Sequence, residues 1–299
     1  EPLGVVLDIA AWNYPLLIAV NVVVPAILAG NAIIIKHSSL TPLCAIAFED
    51  AFKQAGAPDG LVTALIMDHH ATEKTIRSGL IHHLAFTGSV NGGREVQTIS
   101  SSQFIDVGLE LGGKDPAYIR EDANLESAVT GVMDGVFYNG GQSCCAVERI
   151  YVYETRFDEF VEKAIDFMNK LKIGDPMNEA TDIGPMAQGS GIKTVEKQLK
   201  DATNKGAKIV HYTGPLPDGE KFLLPAILTN VDHDMEIMME ETFGPIIGIM
   251  AVKSDEEAIR NMNDSRYGLT ASVWTNDAEK AVEIGNRIET GEGVPQGVN

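Results

Sequence analysis

Through residues 1–112, short β-branched apolar runs alternate with longer stretches of helical period. Runs over residues 3–9, 32–36, 61–66, 82–86 and 104–109 read as strands. Between them, residues 16–30 read as a buried helix stopped by Gly30 and Asn31, and residues 41–55 as a helix with Pro42 in its first turn. A third helix is expected from about residue 72, and a fourth after Thr87, Gly88 and Ser89. Short strands alternating with amphipathic helices imply a parallel sheet with helices on its faces. Gly112, Gly113, Lys114, Asp115 and Pro116 break this rhythm, so a domain boundary is expected there, dividing the chain into residues 1–112 and 113–299. Beyond it the pattern predicts a helix over residues 125–138, a strand over 149–153 and a helix over 156–171. A loop rich in Gly, Asp, Pro and Asn follows over 174–189, then a further α/β run to residue 288. The expected fold class is α/β throughout, with no internal repeat and no low-complexity tract.

Composition narrows the function. With 44% hydrophobic and 22% charged residues, the chain has the make-up of a globular protein that buries a large core without disulfides or metals. A net charge of -19 excludes nucleic acid and anionic membrane as partners, since both need basic patches. The cysteines are Cys44, Cys144 and Cys145, too few for a disulfide framework and without a CxxC pair, which suits a reducing compartment. The longest apolar stretch, residues 16–28, is too short for a membrane span and is broken by Asn21 and Pro25. The chain opens on Glu1, inside an expected strand and without a signal peptide, so an N-terminal portion is expected to precede it. The expected location is cytoplasmic, with a targeting segment possible in that portion.

Four segments carry candidate chemistry. Asn139, Gly140, Gly141, Gln142, Ser143, Cys144 and Cys145 close an expected helix, and glycine-rich backbone ahead of a thiol leaves amides free to face a developing negative charge. A buried, inert cysteine is the ordinary alternative. Glu110 stands alone at the end of an apolar strand before Gly112 and Gly113; burial there would raise its pKa and suit it to accept a proton, against the commoner case of an exposed strand-end Glu. Asn13 follows the first strand, where its amide can donate to an oxyanion or simply shape a turn. Gly88, Ser89 and Gly93 open a helix where a phosphate would be welcome, although plain capping explains the same residues. The pairs His69, His70 and His82, His83 are expected on strands, with diverging side chains and no metal-ligand spacing, so no metal is expected.

Taken together these segments resemble the aldehyde dehydrogenase superfamily. Gly-Gln-x-Cys at residues 141–144, with Asn139 before it and Arg149 after it, is similar to the family's nucleophile motif. Leu-Glu-Leu-Gly-Gly-Lys at residues 109–114 is similar to its glutamate signature, placed 34 residues before the cysteine. Trp-Asn-Tyr-Pro at residues 12–15 resembles the Pro-Trp-Asn-x-Pro motif, with Ala11 for its first Pro. Phe86, Thr87, Gly88, Ser89 and Gly93 resemble the phosphate segment; Lys36, Thr41 and Pro42 the ribose segment, with His37 for its Pro; and Glu241, Phe243, Gly244 and Pro245 the nicotinamide-ribose segment.

The resemblance implies a Rossmann-like cofactor domain over residues 1–112 and an α/β catalytic domain over 113–299, with family members longer at both ends. It implies oxidation of an aldehyde to a carboxylic acid with NAD or NADP. Cys144 would form a thiohemiacetal and then a thioester, Asn13 would stabilise the oxyanion, and Glu110 would activate the hydrolytic water. Trp12, Lys36, Ser39, Gly88, Ser89, Gly93, Leu111, Glu241 and Phe243 would contact the cofactor. Ser39 stands where many NAD-preferring members carry a Glu that repels a 2′-phosphate, so NADP is expected to be tolerated. A homo-oligomer, dimer or tetramer, is implied for the full-length protein, with a small aldehyde as substrate. No Arg cluster in the motifs marks a substrate carboxylate, which disfavours a semialdehyde acid. The rival readings are a catalytically silent structural or binding member and a CoA-acylating relative, the latter opposed by Glu110. The ending, from Thr290 to Asn299, departs from the family's Thr-Gly-x-Val-x-x-Asn pattern.

Overall fold

The computed structural model describes residues 1–219 and 221–296. It divides into two compact units, Glu1–Gly112 and Gly113–Asn299. The first unit runs β1 (Val5–Ala10), α1 (Pro15–Leu28), β2 (Ala32–His37), α2 (Pro42–Gln54), β3 (Val62–Ala64), α3 (His69–Arg77), β4 (His83–Thr87), α4 (Val90–Ser101) and β5 (Asp106–Glu110). Its five strands are all parallel, in the order β3-β2-β1-β4-β5. The order reverses between β1 and β4, the kind of point at which ligands sit against the carboxyl ends of an open parallel sheet. Alternate side chains of β1 go to opposite faces: Val6 and Ala10 pack with α1 and α2, and Leu7 and Ile9 pack with Ile76 and Val96 of α3 and α4. Pro25 lies inside α1, yet the helix continues. Both Pro25 and Asn21, whose carbonyl loses its partner, are exposed, so water takes the bond that proline cannot give.

The second unit runs β6 (Asp115–Ile119), α5 (Leu125–Phe137), β7 (Val147–Tyr153), α6 (Phe157–Lys170), α7 (Gly189–Asn204), β8 (Lys208–His211), β9 (Ala226–Thr229), α8 (Glu236–Met239), β10 (Ile246–Val252), α9 (Asp255–Asn263), β11 (Thr270–Trp274), α10 (Ala278–Gly285) and β12 (Glu292–Gln296). The sheet order is β12-β11-β6-β7-β10-β9-β8, with only β8 and β9 antiparallel. One face is covered by α5 and α6 through Val132, Met133, Phe160 and Ala164; the other carries Val195, Ile237, Met238 and Ile259.

The α/β class expected from the pattern is what forms, with local corrections. Phe104 does not start a strand: it takes a left-handed φ of 54° and is 97% exposed, and β5 begins at Asp106. The break at residues 112–116 already contains a strand, because β6 starts at Asp115 and holds Pro116 where its register against β7 shifts. His69 and His70 open α3 and are not on a strand; His82 precedes β4, and its Nδ1 accepts from the amide of Val5 at 3.0 Å. Within the unusual ending, residues 292–296 pair in parallel with β11. Gly297, Val298 and Asn299 lie outside the described residues.

Candidate active site

In the first unit the residues singled out by sequence gather at the carboxyl edge of the sheet. Trp12 and Asn13 lie in the bend between β1 and α1, half-buried. Lys36, next to last in β2, is buried, which pushes its ammonium below the ordinary value, and Ser39 is exposed in the turn that follows β2. His37 stands beside Lys36 with a local role: Nε2 donates to the carbonyl of Pro15 at 2.8 Å and the ring stacks on Phe48, which fixes the start of α1. Burial lowers its pKa, in keeping with a neutral ring. Gly88 and Ser89 join β4 to α4. The Ser89 hydroxyl accepts from the amide of Gly92 at 3.1 Å, the capping bond that favours serine at this position. Gly93 is needed for space: a Cβ there would lie 2.6 Å from a methyl of Leu111, so helix and strand end pack as closely as backbone allows. A groove of about 570 Å³ runs between α3 and α4, lined by His69, His70, Glu73, Arg94 and Thr98.

Glu110 ends β5, an edge strand of the sheet, and its carbonyl accepts from the amide of Gly88 at 3.0 Å. Its side chain is exposed. The expected burial of this carboxylate is therefore not found, because an edge strand is covered by no neighbour on its free side.

The second unit builds its site at the opposite, amino edge of its sheet. Strands β6, β7 and β10 are neighbours, and the loops that lead into them carry Gly113 and Lys114, Cys144, and Glu241 to Phe243 respectively. The loop before Cys144 is wound by Asn139, Gly140 and Gly141, at left-handed φ values of 53°, 64° and 72°. Gly141 lies against the next loop, where a Cβ would meet the carbonyl oxygen of Gly244 at 2.3 Å. Gln142 ties the turn down. Its Nε2 donates to the carbonyl of Asn139 at 3.1 Å, and its Oε1 accepts from the amide of Ala187 at 2.9 Å.

Cys144 is half-buried and Cys145 exposed. Their thiols hydrogen-bond to each other, so the pair gives up a first proton easily and a second one reluctantly. Cys145 is pulled down to about 5 by its bond to Cys144, with the Ser143 hydroxyl 3.4 Å away, and Cys144 is pushed up by its bond to Cys145 and by burial. Cys145 also lines a cavity of about 250 Å³ with Asp115, Val132, Thr270 and Trp274. Burial raises the Asp115 carboxyl to about 7 even though it accepts from the amide and hydroxyl of Thr270.

The third loop is held from beneath. Glu148, on β7, accepts from the amides of Thr242 at 2.7 Å and Phe243 at 2.9 Å, and pairs with Lys114 Nζ at 2.9 Å. Glu241 Oε1 accepts from the amide of Gly113 at 3.2 Å, and burial with the nearby Glu148 charge raises the Glu241 carboxyl to about 7. Phe243 sits at a φ of 52°, a left-handed conformation that costs a residue with a side chain about 1–2 kcal/mol.

Comparison with known proteins identifies the family. Residues 1–294 match the family model described as "Aldehyde dehydrogenase family". The chain belongs to the aldehyde dehydrogenase family. It is 38% identical over 292 residues to an aldehyde dehydrogenase of Paenarthrobacter nicotinovorans, covering 97% of this chain and 64% of that one. It is 36% identical to an NADP-dependent succinate-semialdehyde dehydrogenase of Mycobacterium avium, covering 98% and 62%. Among solved structures, betaine aldehyde dehydrogenase of Staphylococcus aureus in complex with NAD superposes with a TM-score of 0.93 at 32% identity, covering 100% of this chain and 60% of that one. An NADP-dependent enzyme of E. coli superposes with a TM-score of 0.96 at 32% identity, covering 99% and 62%. The chain thus spans about three fifths of the length of these relatives.

Set on this aldehyde dehydrogenase fold, the motif residues fall into two groups. Trp12, Asn13, Lys36, Ser39, Gly88, Ser89, Gly93, Glu110 and Leu111 share the carboxyl edge of the first sheet; Cys144, Glu241 and Phe243 share the amino edge of the second. Sequence reasoning gave no role to Lys114, Glu148, Gln198 and Thr242, which join in one buried network. The one available signal was a pair of charges, Lys114 closing the glutamate signature and Glu148 next to Arg149. Among the described residues no three His, Cys, Asp or Glu side chains cluster as metal ligands, and no helix is long and apolar enough to cross a membrane.

Proposed function

We propose that the protein oxidises an aldehyde to a carboxylic acid with NAD or NADP, through a thioester on Cys144. The observation that carries this reading is the seating of the Cys144 loop directly on the Glu241–Phe243 loop at Gly141 and Gly244. It joins a nucleophile to the segment that resembles the nicotinamide-ribose contact. The first unit fits a dinucleotide: its strand order reverses at β1 and β4, α4 turns its amino end to the carboxyl edge, and the groove beside α4 has room for an adenosine. Lys36, Ser39, Gly88, Ser89, Gly93 and Leu111 would hold that end of the cofactor, with Trp12, Glu241 and Phe243 at the nicotinamide end. When bound, NAD or NADP supplies the hydride acceptor.

Cys144 acts as the nucleophile on the aldehyde carbonyl. It attacks as the thiolate, the form of the thiol that bonds to carbon. Asn13 and a backbone amide near Cys144 donate to the oxyanion. After oxidation, Glu110 accepts a proton from the water that hydrolyses the thioester; an exposed carboxylate has that water at hand. The exposed Ser39 places no negative charge against a 2′-phosphate, which supports use of NADP beside NAD. The relatives' substrates, succinate semialdehyde and betaine aldehyde, head the panel to be tried. The test is reduced-cofactor formation with a panel of aldehydes, NAD and NADP in parallel, and Cys144→Ala as control. Turnover that vanishes in the variant is expected. Cofactor binding without turnover on any aldehyde overturns the reading in favour of a silent binding member.

A further inference from the structure

Buried ion pairs add little net stability, because desolvation offsets most of their attraction, so an all-charged pair sealed in a core calls for another explanation. Lys114 is 1% exposed and Glu148 4% exposed. Burial works to lower the Lys114 pKa, and Glu148, more than the Glu241 charge beyond it, opposes that lowering. What the pair holds is one short piece of backbone. Both oxygens of Glu148 are spent on the consecutive amides of Thr242 and Phe243, at 2.7 and 2.9 Å. Lys114 Nζ reaches Thr242 Oγ1 at 3.0 Å, and that hydroxyl donates to Gln198 Oε1 at 2.7 Å. Gln198 Nε2 in turn donates to the carbonyl of Glu241 at 3.1 Å. Residue 243 keeps its left-handed backbone where these bonds converge, and strained backbone persists only where surroundings over-determine it.

We propose that Lys114 and Glu148 are positioning residues, a buried clamp that sets the Glu241–Phe243 loop against the Cys144 loop so that Glu241 presents its carboxylate to the nicotinamide ribose. The proposal rests on the NAD(P) reading above. The clamp and the nucleophile are joined through one residue: Gly113 precedes Lys114, donates to Glu241, and lies so close to the carbonyl of Cys144 that a Cβ would be 2.6 Å from it. Loosening the clamp therefore lowers affinity for the nicotinamide half of the cofactor and leaves the adenosine half, bound by the other unit, unaffected.

The experiment titrates NAD, NADP and AMP into the wild type, Glu148→Gln and Thr242→Val, with melting temperatures alongside. AMP probes the adenosine end alone. NAD affinity is expected to fall about tenfold in either variant, as for loss of a hydrogen bond to a charged group, with AMP affinity unchanged. The cofactor KM rises more than kcat falls. The pH midpoint of NAD binding also moves down in Glu148→Gln, because the charge that helps raise Glu241 is gone. A merely structural pair would lower the melting temperature and leave the NAD-to-AMP affinity ratio and the pH midpoint alone; that result overturns the proposal. Thr242→Val removes one hydroxyl and no charge, so it decides the matter if Glu148→Gln fails to fold. Wild type that binds neither AMP nor NAD(P) overturns the dehydrogenase reading itself, a failure distinct from an unchanged ratio.

Discussion

Asp8 sits in the middle of β1, fully buried, and neither carboxyl oxygen has a hydrogen-bond partner. The same face of β1 carries Val6 and Ala10, which pack with Ala19 and Val23 of α1. Burial raises its pKa from 3.8 to about 8. A carboxyl raised in the folded state contributes stability that is complete below pH 3.8 and is lost as pH rises through about 8. Over that window folding must take up a proton, at about 1.4 kcal/mol for each pH unit above the unfolded value. At pH 7 the penalty is about 4 kcal/mol, a large share of the stability of an ordinary domain. Asp8→Val removes it and suits a buried parallel strand. The assay is urea unfolding at pH 5, 6, 7 and 8 in a Trp274→Phe background, where Trp12 is the remaining tryptophan and reports on the first unit. The stability gained by the variant should grow by about 3 kcal/mol from pH 5 to pH 7 and level off above pH 8. Any fixed packing gain cancels in this comparison. Equal gains at pH 5 and pH 8 would refute the reasoning, since the carboxyl would then be solvated or paired in the folded protein.

Three further outcomes follow from the second unit. Gly141→Ala places a Cβ against the Gly244 carbonyl at a left-handed φ; turnover should drop by two orders of magnitude or about that, as for a displaced nucleophile, while Gly189→Ala, with nothing within 4 Å, leaves the rate unchanged. Cys145→Ser removes the neighbour whose bond and charge push the Cys144 thiol up, so alkylation of Cys144 at pH 7, followed by mass spectrometry, should speed up severalfold; an unchanged or slower rate would mean that Cys145 does not hold the Cys144 thiol protonated. Lys114→Met strands the Glu148 charge in the core and should destabilise by about 3–5 kcal/mol in urea, whereas Lys114→Met with Glu148→Gln should recover part of that loss, because Gln removes the stranded charge yet keeps an acceptor for the loop amides.

What could be read from sequence was local. The Ser89 cap depends on a few consecutive residues and on backbone rules that hold in any protein, so a strand, a glycine turn and a helix announced it. The glycine-rich backbone ahead of Cys144 was legible likewise, but its left-handed run at Asn139, Gly140 and Gly141 was not. The setting of Glu110 was not, because its exposure follows from β5 lying at the sheet edge, and strand order leaves no mark in a single strand. Asp8 was absorbed into an apolar run, since one polar residue scarcely alters the period that identifies a strand. Its effect appears only when both faces of β1 are seen to be covered.

The same distinction explains why the clamp was missed. Glu148 lies 94 residues from Thr242, and Lys114 lies 128 residues from it. They meet because β6, β7 and β10 are adjacent, so the loops entering them share one edge. In the first unit the chemistry sits where parallel strands end, the edge that glycine turns and helix caps mark in sequence. In the second it sits where they begin, and nothing comparable marks that edge. A loop entering a strand has no helix amino end to offer amides to a ligand, so its backbone has to be held by side chains. Here a buried carboxylate takes two consecutive amides and a buried ammonium keeps that carboxylate charged. The charged pair therefore does for the Glu241–Phe243 loop what the Ser89 cap does for α4, with residues that only the folded chain brings together.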